Sequence, residues 1–219
     1  MGLSRDRAGP DGLGYPGVTT LSAQKLRAQL TTAHRHGKHV DLSGVTCQGV
    51  LDLRGCDLSG FDLSGAHFPQ GLDARGARFL GLSWFTGIKV GSTADFSTAI
   101  FLNDARFEAA DFQGSAIFSD TEFRGIARFD RAQFNAGAQF QRTVAYGNFS
   151  LEAAHIQGKA SFRSSEWLGG LWCQDTSLAP GTDLSHTQVH GRLWLRGAQL
   201  GNAALPAAAF GMAFGYAYR

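Results

Sequence analysis

The chain is poor in the residues that most often announce a chemistry. Its 219 residues include only three cysteines, and Cys47, Cys56 and Cys173 show no CxxC spacing and cannot all pair. That excludes a disulfide framework and a four-thiolate zinc site, and it suits free thiols in a reducing, cytoplasmic setting. No run is long and apolar enough to span a membrane: the best stretch, Ala203 to Tyr218, is broken by Pro206, Gly211 and Gly215. No charged n-region followed by an apolar h-region opens the chain, so no secretory signal is expected. An excess of one charge is missing as well. The formal net charge is +2, which points to neither a nucleic-acid binder nor a strongly acidic surface. No phosphate-cradling loop, dinucleotide fingerprint or nucleophile elbow occurs.

What is abundant is glycine, at 29 residues, and phenylalanine, whose 17 copies outnumber Tyr and Trp together. Charge is unevenly spread. Residues 1–39 carry six Lys/Arg against two Asp, a surplus of four, while residues 40–200 carry 13 against 16 Asp/Glu, a deficit of three.

The segments ADFST (94–98), ARFEA (105–109), ADFQG (110–114), ARFDR (127–131) and AQFQR (138–142) expose an internal repeat. Two five-residue units plus one additional residue make a period of eleven, which runs without a slip from Phe61 to Asn202. One large-residue series is Leu63, Ala74, Phe85, Phe96, Phe107, Phe118, Phe129, Phe140, Leu151, Phe162, Cys173, Leu184 and Leu195. The other is Phe68, Phe79, Val90, Phe101, Phe112, Phe123, Phe134, Ala145, Ile156, Trp167, Leu178, Val189 and Leu200. All 26 positions are apolar and half are Phe. Two earlier units begin at Val40 and Leu51, with one spacer missing before Phe61.

Two residues before each large one the chain is usually small, as at Ala94, Ala105, Ala116, Ala127 and Ala138. Residues i−2 and i point the same way along an extended segment, so each unit buries a small and a large side chain and exposes the residue between them. The Gly or small polar residue that follows suits a tight turn with positive φ. One unit is one side of a coil, and stacking buries faces that a single repeat could not bury alone.

These units, and LDLRG, CDLSG and FDLSG (51–65) most closely, resemble the pentapeptide-repeat family. The resemblance covers roughly residues 40–202 and implies an all-β fold, a right-handed quadrilateral parallel β-helix. The 5+6 spacing departs from the plain repeat and predicts 22-residue coils. That gives about seven and a half coils, roughly 36 Å long at about 4.8 Å per coil.

The ends need covers, because an open solenoid exposes an apolar cross-section. Residues 1–19 are expected to be a flexible tail, and 20–39 an N-terminal capping segment. Within it a helix is predicted over 22–36, with Ser22 as N-cap, Ala23, Leu26, Leu30 and Ala33 as the apolar stripe and Gly37 as the stop. Residues 203–219, where the repeat fails at Pro206, are expected to cap the last coil or to form a homodimer through Phe210, Phe214, Tyr216 and Tyr218.

With 22-residue coils, outward side chains stack in columns. Most columns are bland, such as Ser97, Ser119, Gln141, Arg163 and Ser185. One reads Asp62, Trp84, Arg106, Arg128, Ser150, Trp172 and Trp194, beside Thr86, Glu108, Asp130 and Glu152. Indoles and arginines on one exposed line are what protein hot spots use, so Trp84, Arg106, Arg128, Trp172, Trp194, Glu108 and Asp130 form the candidate partner-binding strip. The pairs Arg106–Glu108 and Arg128–Asp130 also suit an ordinary surface ladder.

Three function classes follow. The first is a non-enzymatic interaction scaffold using the Trp/Arg face, with a protein partner and no direct nucleic-acid contact. The second is what the resemblance implies for some members, a DNA mimic that occupies a type II topoisomerase and confers antibiotic protection. The near-neutral body and the unbroken register offer little of the dense charge such mimicry needs. The third is an enzyme whose Arg106 and Arg128 hold an anionic small molecule while Glu108 or Asp130 acts as base. No catalytic set, metal or cofactor is assigned. His186 and His190 have a ligand-like interval, but on a coil side it does not bring them together. His67 and His155 point outward, His34, His36 and His39 read as a solvated face, and the cysteines fall at inward positions.

Overall fold

The structure, a computed structural model, describes residues 19–33, 35 and 37–218. The expected flexible tail, apart from Thr19, and His34 and His36 lie outside the described residues.

Short strands of two or three residues stack into four sheets, one per side of the coil. In chain order the first face starts with His39–Asp41, the second with Thr46–Gln48, the third with Leu51–Asp52 and the fourth with Asp57–Leu58. Every pairing between successive coils is parallel, and the register advances by 22 residues, as in Phe61↔Ser83 and Phe101↔Phe123. The spacer missing before Phe61 appears as a first coil one residue shorter: Val40 pairs with Phe61 and Leu51 with Leu72.

The fold is thus an all-β parallel β-solenoid of about nine turns, with one short helix near its N-terminus. The additional turns beyond seven and a half come from the ends. Thr20–Ser22 pairs with Thr46–Gln48, with the helix inserted in that coil. At the other end, Ala203–Ala204 folds back antiparallel on Gln199–Leu200, and Ala207–Ala209 forms a 3-10 turn. The chain then resumes the coil, Met212–Ala213 pairing with Gln188–Val189 and Ala217–Tyr218 with Leu193–Trp194.

Helix α1 is Ala23–Leu30, and Ser22 accepts the Lys25 amide as its N-cap. It ends well before Gly37. Thr31 and Thr32 are β-branched, which disfavours helix, and their hydroxyls turn back to the Arg27 and Ala28 carbonyls. Leu26 and Leu30 are buried over the first coils.

Inside, the large residues stack in register. Phe96, Phe118, Phe140 and Phe162 lie parallel with centroids 4.9, 5.0 and 5.1 Å apart, and Phe107 meets Phe96 and Phe118 edge-on at 5.5 Å. Alternating stacked and edge-to-face contacts are the favoured geometries for aromatic rings. At several small inward positions that hold Thr or Ser the hydroxyl donates to the preceding coil, as Thr121 does to the Phe96 carbonyl at 2.8 Å and Thr143 to Phe118 at 2.7 Å, while Ser83 and Thr187 donate within their own coil. Buried polarity is thereby satisfied.

Candidate functional site

The strand pairs Asp62↔Trp84, Trp84↔Arg106, Arg106↔Arg128, Arg128↔Ser150, Ser150↔Trp172 and Trp172↔Trp194 place the proposed column on the first face as one unbroken line. In each strand an inward residue precedes the outward one, as Ser83 does Trp84 and Ala105 does Arg106, so alternation alone aims the column at solvent. Trp84 is 40% exposed, while Trp172 and Trp194 are half-buried.

One member of the line lies beyond the repeat register. Tyr218 pairs with Trp194 and stacks on its indole, with centroids 4.0 Å apart and planes within 10°. The coil between them has two additional residues, Leu193↔Ala217, so counting by 22 from Trp194 misses it. A final Tyr in an apolar tail was the only signal available in sequence. Because the rings stack along the column, their edges rather than their faces meet solvent, and the indole Nε1 of Trp194 is buried without a partner. Tyr218, at the last rung, has no following ring over it among the described residues.

The arginines are engaged within the face. Arg106 lies between Asp104 at 3.4 Å and Glu108 at 3.3 Å, and Arg128 reaches Asp130 at 4.0 Å. Asp130 also accepts the Ser150 hydroxyl, and Glu108 accepts that of Thr86 at 3.4 Å. Glu108 and Asp130 are each 14% exposed at the side chain, while the arginines are 35% and 45% exposed. The strip is therefore a band of half-exposed aromatics and charge-paired arginines.

The C-terminal aromatics divide. Phe214 and Tyr216 are exposed, at 60% and 81%, and Phe214 stacks on His190 with centroids 4.8 Å apart. Phe210 is only 6% exposed. It closes the core of its own chain, because the tail returns to the coil instead of projecting from it, so Phe210 is not presented to a second copy.

The remaining candidates fall apart spatially. His186 sits in a left-handed turn and His190 after a fourth-face strand, and among the described residues no cluster of three or more His, Cys, Asp and Glu could hold a metal. Burial pushes the Cys173 thiol up to about 12 and raises Cys47, while Cys56 is partly exposed. No helix among the described residues is long and apolar enough to cross a membrane.

Two features escaped sequence inspection. On the fourth face, Leu80, Leu102, Tyr146, Leu168 and Phe214 follow the inward residue on successive or alternate coils, forming an apolar line around Arg124. Its signal was a 22-residue recurrence one place after the second large series. On the third face, Arg54 chelates Asp52 at 3.0 and 2.8 Å and reaches Asp73 at 3.7 Å. Arg75 repeats this with Asp73, at 2.9 and 2.6 Å, and with Asp95 at 3.8 Å. Arg27 of α1 joins at Asp52, 3.6 Å away. The Arg54 and Arg75 guanidinium groups hold the Asp52 and Asp73 carboxyls below the usual carboxylate range.

A family profile described as pentapeptide repeats in nine copies matches residues 96–144. No curated protein and no solved structure matches the chain. Over residues 96–144 the chain is similar to the pentapeptide-repeat family, and the four-sided coil carries the same eleven-residue register on either side of that stretch.

Proposed function

We propose that the chain is a non-enzymatic scaffold that docks a protein partner along its first face, through Trp84, Arg106, Arg128, Trp172, Trp194 and Tyr218, with Glu108 and Asp130 fixing the arginines. One observation carries this reading: seven consecutive coils align their outward residues into a single rigid line that ends in stacked aromatics. Interface hot spots favour Trp, Tyr and Arg, and a pre-ordered strip loses little entropy on binding. Arginines already paired with carboxylates favour a mixed-charge partner over a polyanion or a small anionic substrate. Duplex mimicry at a topoisomerase gains no support from a face neutralised in this way. Phe214 and Tyr216, exposed beside the last rung, are the residues through which a homodimer would form.

The test is affinity capture with the intact chain, a Trp172→Ala/Trp194→Ala variant, and a Gln133→Ala/His155→Ala variant of the second face. A partner held by the intact chain and the second-face variant but lost from the tryptophan variant is the expected result. Equal recovery by all three overturns the reading.

A further inference from the structure

The basic N-terminal surplus has a structural destination. Two adjoining cavities of about 320 Å³ each open where the link from α1 meets the first coils, and both are lined by Lys38, His39 and Gly60. Gly81, Leu82 and Asn103 complete the wall of one, and Arg35 lies in the other. No carboxylate lines either cavity, and neither Arg35 nor Lys38 has an ion-pair partner among the described residues. Asp41, on the same strand as His39, accepts the Ser43 amide at 3.0 Å and the Ser43 hydroxyl at 2.8 Å, and Asp104 is occupied by Arg106 and by the Ile126 amide at 3.0 Å.

The floor is backbone. A Cβ at Gly60 would sit 3.3 Å from the Lys38 carbonyl oxygen and 3.5 Å from the Leu82 amide nitrogen, so a side chain there would fill the cleft. Leu82 is 46% exposed, an apolar wall beside the cations. The imidazole of His39 is 6.2 Å from the Trp84 indole, which lines neither cavity. Two cations without an ion-pair partner among the described residues thus stand beside an apolar wall.

We propose that this cleft is a binding site for a small phosphate monoester, with the phosphate held by Lys38, Arg35 and His39 and the organic part against Leu82. The size of each cavity suits a compact molecule, and charge-assisted contacts to a dianion gain most where no carboxylate competes. The proposal is independent of the partner strip.

The probes are phenyl phosphate and inorganic phosphate, titrated at fixed ionic strength against the full chain and followed by the amide signals of Gly60, Gly81 and Asn103. Saturable shifts confined to these residues are expected, with phenyl phosphate tighter than inorganic phosphate. Lys38→Ala should weaken binding at least about tenfold, the scale of one lost charged contact, while Lys89→Ala on the second face leaves it unchanged. Lys38→Met, which keeps the apolar stem, guards against a folding effect and should weaken binding equally. Absence of saturation, equal affinity in the Lys38→Ala and Lys89→Ala variants, or binding of a phosphoserine peptide with none of phenyl phosphate would each overturn the proposal.

Discussion

At the scale of single residues, one turn in each eleven-residue repeat demands a left-handed backbone. Gly44, Gly55, Gly65, Gly76 and Gly87 meet it with φ between 61 and 68°, and Gly197 does so at 70°. Between them nine consecutive turns use a residue with a Cβ, from Thr98 at φ 57° to His186 at 58°. Such residues strain the chain by about 1–2 kcal/mol each, partly offset by glycine's greater unfolded-state entropy. Ala109 is exposed with φ 55°, so Ala109→Gly should raise stability by about 1 kcal/mol. Gly87→Ala should lower it by a similar amount. Urea midpoints at unchanged slope will read both, and a shift of Ala109→Gly in the destabilising direction would refute the assignment. Glycine elsewhere answers closeness instead: a Cβ at Gly114 would lie 2.4 Å from the Ser92 carbonyl oxygen of the coil before.

A second residue-scale feature was invisible in the periodicity. Ala145 interrupts the fourth-face stack between Phe123 and Trp167, and Phe149 occupies an inward position that is usually small. Phe149 fills the gap, 5.7 Å from Phe123 and 4.4 Å from Trp167. Phe149→Ala should cost about 3–5 kcal/mol through the cavity it leaves, and Ala145→Phe about 1–3 kcal/mol through overpacking. The double variant restores the regular small-and-large alternation, so its cost should fall below the sum of the singles by more than about 1 kcal/mol. Strict additivity in thermal unfolding would show that the two sites are uncoupled.

At the scale of elements, α1 is joined to the solenoid by burial of Leu26 and Leu30 and by Arg27, which donates to the Asp52 carbonyl at 2.9 Å and enters the third-face ladder. Hydrogen bonds from Arg54 and Arg75 hold the carboxyls of Asp52 and Asp73 below the ordinary aspartate value. A depressed folded-state value means stability that is present above the unfolded value and lost as pH falls through the folded one. The ladder's contribution should therefore be complete above about pH 4 and fade below it. The melting-temperature difference between the intact chain and an Arg54→Gln/Arg75→Gln variant should be positive at pH 7 and shrink toward zero below pH 3. A difference that persists unchanged in acid would contradict the ladder. In sequence the helix start was legible at Ser22, because capping is a local signal. Its end was not, because Gly37 offers a stop signal while the competition of the Thr31 and Thr32 hydroxyls for the Arg27 and Ala28 carbonyls shows only in three dimensions.

At the scale of the molecule, the solenoid and its columns were legible because one period governs 26 inward positions, and a repeat that long leaves a single register. From Phe61 to Asn202 that register holds in every pairing. The C-terminal coil was not legible: two additional residues and a 3-10 turn displace Ala217–Tyr218 from the 22-residue count, and only pairing with Leu193–Trp194 reveals that the tail continues the coil. The fourth-face apolar line was overlooked because its members alternate with Arg124 and His190. Charge pairing within the first face depends on side-chain reach, which spacing alone does not set.

The proposed docking of a protein partner on the first face is read by a photo-crosslinking residue placed at Trp172 and, separately, at Gln133 on the second face. One partner protein crosslinked from position 172 and none from 133 is expected; crosslinking to the same partner from 133 alone, or equally from both, would overturn the docking surface.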